Sequence, residues 1–134
     1  MSSGILEWLL RFAGLICLGL VAANFVAPRR LGYARSLVSA ETLVRQIFYV
    51  HCAYLVLLIA GLAVLCLGWP GLFLEPGMGR VVGGFFAIFW GSRVVVQLTY
   101  YDRAYRARER FWDVFFLLVF GVLAAIFTTV TFAR

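Results

Sequence analysis

Four long apolar runs, separated by short polar segments, constrain this chain more than any other feature of its sequence. They cover about residues 5–27, 47–69, 81–101 and 111–132. Since a helix rises about 1.5 Å per residue, roughly 20 apolar residues cross the hydrocarbon core of a bilayer. The composition agrees, because 64% of the residues are hydrophobic and 13% are charged, far from the balance of a soluble domain. The sequence predicts an all-α integral membrane protein with one four-span membrane domain over residues 1–134.

The arginines predict how this domain is oriented. All twelve basic residues are arginine, and the net charge is +6. The two loops on one face carry eight of them: Arg29, Arg30, Arg35, Arg45, Arg103, Arg106, Arg108 and Arg110. The other face carries Arg80 and Arg134, with Arg11 near the start of the first span. By the positive-inside rule, both arginine-rich loops are expected in the cytoplasm and both termini outside. We expect a bacterial inner membrane, with membrane lipid as a partner.

Local patterns add two expectations about helix ends. Glu7 and Arg11 lie four residues apart near the start of the first span, so they share a helix face and are expected to form an ion pair near the headgroups. The loop between the third and fourth spans lacks glycine and proline. The third helix is therefore expected to continue beyond the membrane surface before the chain turns.

Small residues predict how the helices pack. In lipid, helices associate where small side chains let the backbones approach. Gly84, Ala87 and Gly91 share one face of the third helix and are expected to form its packing surface. A stripe on a largely different face is expected to form an aromatic and polar wall: Phe86, Trp90, Arg93, Gln97 and Tyr100. Together these patterns predict an antiparallel bundle of four transmembrane helices.

A polar layer in the expected cytoplasmic half marks a candidate site. Arg93 lies nine residues before Asp102, or about 13 Å into the membrane, and His51 lies about 9 Å from the same side. The predicted ligand-binding residues are Arg93, His51, Gln97, Trp90, Tyr54, Tyr101 and Asp113. Ionisable side chains inside membranes usually mark functional sites, and a guanidinium presents a planar fork to a carboxylate or phosphate.

Two interpretations of this layer remain open. In the structural one, Arg93 either extends toward the headgroups or pairs with Asp113 and joins the third helix to the fourth, while His51 hydrogen-bonds within the bundle. In the functional one, Arg93 and His51 face a cavity and hold the anionic or carbonyl head of a ligand, whose apolar body lies against Phe86, Trp90 and Tyr54.

Several other functions are disfavoured. The one histidine, His51, is too few for a two-histidine haem site, and the three cysteines have no metal-ligand spacing. No metal site and no cofactor is assigned. Nucleic-acid binding is not expected, because the arginines lie in short loops between apolar runs, where anionic headgroups are the natural partners.

The region after the third span carries tyrosines and arginines: Tyr100, Tyr101, Arg103, Tyr105 and Arg106. With four short spans and a basic first loop, this layout resembles the MAPEG family of membrane glutathione transferases and eicosanoid enzymes. The resemblance implies a trimer with thiol-conjugating chemistry between subunits. It assigns no individual site residue.

Three hypotheses about function follow. The first is a small membrane protein that binds an amphipathic ligand, such as a lipid, isoprenoid or quinone-like molecule, in a pocket in the cytoplasmic half. The second is a MAPEG-like membrane transferase acting on hydrophobic substrates. The third is an accessory subunit that packs into a homo-oligomer or a larger membrane complex.

Overall fold

The computed structural model describes residues 2–133, which form helices and connecting turns without any strand. The helices are α1 (Ser3–Arg30), α2 (Tyr33–Ser36), α3 (Thr42–Gly68), α4 (Met78–Thr99), α5 (Arg103–Arg108) and α6 (Arg110–Phe132), with a 3-10 turn at Pro70–Leu74. Helices α1, α3, α4 and α6 are long and apolar enough to cross a membrane. The prediction of an all-helical chain with four apolar helices suited to span a membrane is confirmed. Arg134, which was assigned to the less basic face, lies outside the described residues.

The third long helix ends before Asp102 and does not continue as expected. Helix α4 stops at Thr99, and α5 begins at Arg103 as a separate helix. Asp102 has an extended backbone (ψ 129°), and its Oδ1 accepts a hydrogen bond from the backbone N–H of Ala104 at 3.4 Å. An aspartate at this position satisfies a free N–H of a new helix and favours a start there. The prediction of one continuous helix was therefore wrong.

Arg11 contacts a neighbouring helix instead of Glu7. Its Nη1 donates a hydrogen bond of 3.0 Å to the carbonyl oxygen of Leu67, in the last turn of α3. The last carbonyls of a helix lack N–H partners and carry partial negative charge, so they attract a guanidinium. No ion pair joins Glu7 to Arg11 within residues 2–133, and the expected pair was wrong.

The long helices have unequal neighbours. Helix α1 packs against α3, α4 packs against α6, and α1 also contacts α6. No Cα atom of α3 approaches one of α4 within 8 Å among the described residues. The order across the molecule is thus α3, α1, α6, α4, with a gap between the two outer helices.

The two ends of the molecule differ in their contacts. At the arginine-rich end, Arg30 forms an ion pair with Glu109 at 3.2 Å, which brings the two arginine-bearing loops together. At the opposite end, the 3-10 turn contacts α1, α3, α4 and α6. Phe73 of this turn is 2% exposed, and its ring lies 5.7 Å from that of Phe127. This end is closed by apolar packing.

Glycines do allow close approach, but they are not the predicted ones. A Cβ at Gly14 would lie 2.8 Å from Leu67 Cγ, and one at Gly79 would lie 2.6 Å from the carbonyl oxygen of Leu72. A Cβ at Gly83 would lie 2.8 Å from Oγ1 of Thr131. By contrast, a Cβ at Gly91 would meet nothing within 4 Å.

The packing face of α4 is therefore the aromatic stripe. Gly79, Gly83, Phe86, Trp90 and Gln97 are buried, and they recur at helical spacing on one face. Aromatic rings on α6 supply large contact areas that small side chains cannot, so the face richest in rings turns inward. The prediction that Gly84, Ala87 and Gly91 form the packing face was wrong.

Candidate functional site

A cleft of about 450 Å³ lies between the four long helices in the arginine-rich half. Helix α1 contributes Ala23 and Asn24, and α3 contributes only Leu55 and Ile59. The polar and ionisable side chains that line the cleft are Asn24, Arg93, Gln97, Tyr101, Tyr105, Glu109 and Asp113. A pocket of this size, mostly apolar with a few convergent polar groups, is typical of a small-molecule site.

Trp90 forms part of the cleft wall and is 1% exposed. Its ring stacks on that of Phe120 of α6, with centroids 5.9 Å apart and an interplanar angle of 16°. The indole Nε1–H is buried and has no acceptor among residues 2–133. An unpaired buried donor costs about 1–3 kcal/mol, and because this nitrogen is itself covered, a molecule in the cleft does not reach it.

A polar cluster joins α4 to α6 at the arginine-rich end of the cleft. Buried Gln97 donates through Nε2 to Oδ1 of Asp113 at 2.7 Å, and Arg106 Nε contacts the same oxygen at 3.1 Å. Arg106 also donates through Nη1 to the carbonyl oxygen of Leu98 at 3.0 Å. Asp113 is thus held by Gln97 and Arg106, and the structural interpretation in which Arg93 pairs with Asp113 was wrong.

Arg93 has no such partner. Its Cζ lies 5.0 Å from the centroid of the Phe120 ring, and the side chain forms no hydrogen bond or ion pair within residues 2–133. It lies six residues before the end of α4 at Thr99, or about 9 Å along the helix. A cation–π contact contributes about 0.5–2 kcal/mol, whereas an arginine at a helix centre costs about 2.5–3.5 kcal/mol to insert. The ring alone does not offset the desolvation of this half-buried charge.

The remaining charges around the cleft are paired. Arg30 of α1 contacts Glu109 at 3.2 Å, and its Cζ lies 5.2 Å from the centroid of the Trp112 ring. These contacts cover the arginine-rich end of the cleft. Because Glu109 and Asp113 each have their own arginine, Arg93 leaves the cleft with one unmatched positive charge.

Five of the seven predicted site residues come together in this cleft. They are Trp90, Arg93, Gln97, Tyr101 and Asp113. Their role in binding a ligand remains a prediction.

His51 and Tyr54 lie elsewhere, on the exposed surface of α3. Tyr54 is 68% exposed, and Nδ1 of His51 lies 2.8 Å from the carbonyl oxygen of Ile47 in its own helix. The buried residues of α3 are Ile59, Leu62, Ala63 and Cys66, so the half of the helix that carries His51 and Tyr54 has no buried residue. Depth along the helix was predicted from spacing, but the exposure of this half of α3 was not.

Three polar contributors to the cleft, Asn24, Tyr105 and Glu109, were not among the predicted site residues. Asn24 lines the cleft, and its Nδ2 donates to the carbonyl oxygen of Leu20 at 2.8 Å. Asn24 could have been identified from the sequence, because it is an amide inside an apolar run. Glu109 could not, because its contact with Arg30 joins residues 79 positions apart.

No group of three histidine, cysteine or acidic side chains in residues 2–133 could hold a metal ion. The chemistry available in the cleft is donation of hydrogen bonds from Arg93, beside aromatic walls. Comparisons with protein families, curated proteins and solved structures find no match for the chain.

Proposed function

We propose that this protein is an antiparallel four-helix membrane bundle that binds an amphipathic ligand, such as a lipid, isoprenoid or quinone-like molecule, in the cleft. The observation that carries the proposal is an unpaired cation in the cleft. The Arg93 guanidinium has no hydrogen-bond acceptor within residues 2–133, and Arg93 lines the cleft. A ligand head rich in acceptor oxygens complements it.

The apolar part of the ligand has a matching surface. The walls near Trp90 and Arg93 are formed by Phe89, Phe116 and Phe120, with Leu20 and Ile59 from the other helix pair. Such a lining favours a hydrophobic body, while the few polar groups orient the head. A water-soluble ligand would leave most of this surface unmatched.

The antiparallel arrangement is supported by contact pairs at both ends of two helices. Gln97 and Asp113 meet at the arginine-rich end, and Gly83 and Thr131 meet toward the opposite end. Along α4 the residue numbers fall as those of the contacting residues on α6 rise. Such an order is expected when consecutive spans are joined by a short connection.

We further propose that the arginine-rich end is cytoplasmic and that both termini lie outside, in a bacterial inner membrane. Eight of the twelve arginines belong to the two loops at this end, and lysine and arginine counts in short loops set orientation. A cysteine replacing Ser36 in a cysteine-free background would test this. An impermeant maleimide should label it only after the cells are opened, and labelling of intact cells would reverse the orientation.

A cleft-filling variant tests the binding function directly. Ala23 lines the cleft, whereas its neighbour Ala22 is exposed and lies outside the lining. The protein would be reconstituted with a total bacterial membrane lipid extract, extracted in mild detergent and examined by native mass spectrometry. Wild type and Ala22→Trp should retain bound amphipathic molecules, and Ala23→Trp should lose most of them. Equal retention in all three proteins, or an empty wild type, would refute the proposal.

A further inference from the structure

We infer that the ligand is a lipid whose head is a singly charged oxyanion, and that its chain leaves the cleft sideways between α3 and α4. This inference rests on the proposed function and narrows it to one chemical class. It excludes neutral quinones and isoprenoid alcohols as the preferred occupant. It is carried by the charge balance of the cleft and by the gap in the helix arrangement.

The charge balance sets the charge of the head. The ionised side chains lining the cleft are Arg93, Glu109 and Asp113. Two arginines outside the lining pair with the acids: Arg30 with Glu109 at 3.2 Å and Arg106 with Asp113 at 3.1 Å. Arg93 is then the one charged side chain of the lining without a partner of opposite sign, and one negative charge on the ligand pairs with it. A phosphodiester and a carboxylate both meet this requirement.

The donors set the geometry of the head. The five N–H groups of a guanidinium form a planar fork that matches two oxygens of a carboxylate or phosphate. The Cζ of Arg93 lies 5.0 Å from the centroid of the Phe120 ring, and a ring against one face of the fork leaves its edges available. An oxyanion with two acceptor oxygens fits this fork.

The gap between α3 and α4 offers a route for the acyl chain of the lipid. No Cα atom of α3 lies within 8 Å of one of α4 in the described residues. A second, almost wholly apolar hollow of about 560 Å³ lies beside this gap, between Leu58, Gly61 and Leu62 of α3 and Phe86 of α4. The two hollows border neighbouring turns, since Ile59 lines the first and Leu62 the second. An acyl chain extending from Arg93 through the gap between α3 and α4 would remain in contact with apolar side chains.

The test compares named lipids rather than an unidentified extract. Purified protein in neutral detergent would be titrated with phosphatidylglycerol, oleate, phosphatidylcholine, a quinone with an isoprenoid chain, and glycerol phosphate, which has no chain. Native mass spectrometry would give the fraction of protein bound. Wild type should bind phosphatidylglycerol or oleate at least tenfold better than phosphatidylcholine or the quinone, and should not bind glycerol phosphate.

Variants locate the interaction. Arg93→Gln should weaken binding of the anionic lipid at least tenfold, as loss of a charge-assisted hydrogen bond implies. Arg93→Lys, which keeps the charge but lacks the planar fork, should retain part of the affinity. Arg80→Gln is the matched control, because Arg80 is exposed near the other end of α4, and it should bind like wild type. Circular dichroism would verify that each variant is folded.

The outcomes separate this inference from the proposed function. Binding of phosphatidylglycerol alone identifies a phosphodiester head, and binding of oleate alone identifies a carboxylate; either result supports the inference. Equal binding of the quinone, unaffected by Arg93→Gln but abolished by Ala23→Trp, would overturn the inference and leave the proposed function standing. Binding of none of these amphipathic molecules would overturn both.

Discussion

The two halves of the molecule are built from the same four helices but held together differently. At the opposite end, Gly14 and Gly79 bring backbones and side chains into direct contact, and Phe73 fills the space between helices. At the arginine-rich end, the helices separate around a cleft, and the buried polar residues Gln97 and Asp113 join α4 to α6. Tight packing and an open site are thus divided along the length of the bundle.

This division has a physical reason. In lipid, no hydrophobic driving force brings helices together, so contact depends on close packing and on hydrogen bonds between helices. Where a cleft prevents close packing, polar contacts must hold the neighbours. The structure therefore predicts that polar substitutions matter most at one end and added volume matters most at the other.

The largest expected effect is the loss of Asp113. Asp113→Ala removes the acceptor of Gln97 and the ion-pair partner of Arg106, leaving two donors unpaired near the cleft. Breaking a buried pair costs about 3–5 kcal/mol. Because the Arg106 side chain is 22% exposed, we expect a smaller loss of unfolding free energy, about 2–3 kcal/mol, in a detergent unfolding titration.

Asp113→Asn is the graded variant for that experiment. It retains the oxygen that accepts from Gln97 and removes only the charge, so its loss should be clearly smaller. A change below about 0.5 kcal/mol for Asp113→Ala, within the range of ordinary surface substitutions, would show that polar contacts do not hold the arginine-rich half together.

A methyl group at Gly79 tests the closed half. Its Cβ would lie 2.6 Å from the carbonyl oxygen of Leu72 and 2.9 Å from the backbone of Phe73, atoms that cannot move independently. Overpacking costs about 1–3 kcal/mol, and the same titration should show Gly79→Ala losing about 2 kcal/mol.

Gly91→Ala is the control on the same helix, because nothing lies within 4 Å of its Cβ position. It should stabilise slightly, since alanine is the better helix former. Equal effects at both positions would contradict close packing at the opposite end.

The smallest effect is expected at Arg93 itself. In ligand-free protein, Arg93→Met removes the contact with Phe120 together with the cost of an unpaired charge. Because these two contributions oppose each other, the unfolding free energy should change by less than about 1 kcal/mol. Lipid binding, in contrast, should be lost. A destabilisation comparable to that of Asp113→Ala would mean that Arg93 supports the fold, and the distinction between its role and that of Asp113 would disappear.

Sequence patterns predicted the membrane helices because length and hydropathy are local properties. The structure gives four long apolar helices, as the four runs predicted. Contacts between helices were predicted less well. Gly84 and Gly91 had the expected spacing, but Gly79 and Gly83 make the close approaches. Several faces of α4 could pack equally well by composition, and the partner surface on α6 selects one.

The candidate site was predicted in part for the same reason. Trp90, Arg93 and Gln97 share a stripe on one helix, and they do line one cleft. His51 has a suitable depth but lies on the exposed surface of α3. Depth follows from the rise per residue, whereas burial depends on how near the neighbouring helices lie, and no residue of α3 before Ile59 is buried. Asp113 was included in the site, although its partners are Gln97 and Arg106 rather than Arg93.

The sequence alone determined that this chain forms four apolar helices, with its arginines concentrated in two of the loops. Those properties depend on side chains within one or two helical turns. Only the tertiary structure decided that α3 and α4 stay apart, that Asp113 is held by Arg106, and that Arg93 remains unmatched in a cleft. Each of these outcomes is a competition between distant partners for the same atoms or the same space. Residue spacing along the chain does not encode the result of that competition.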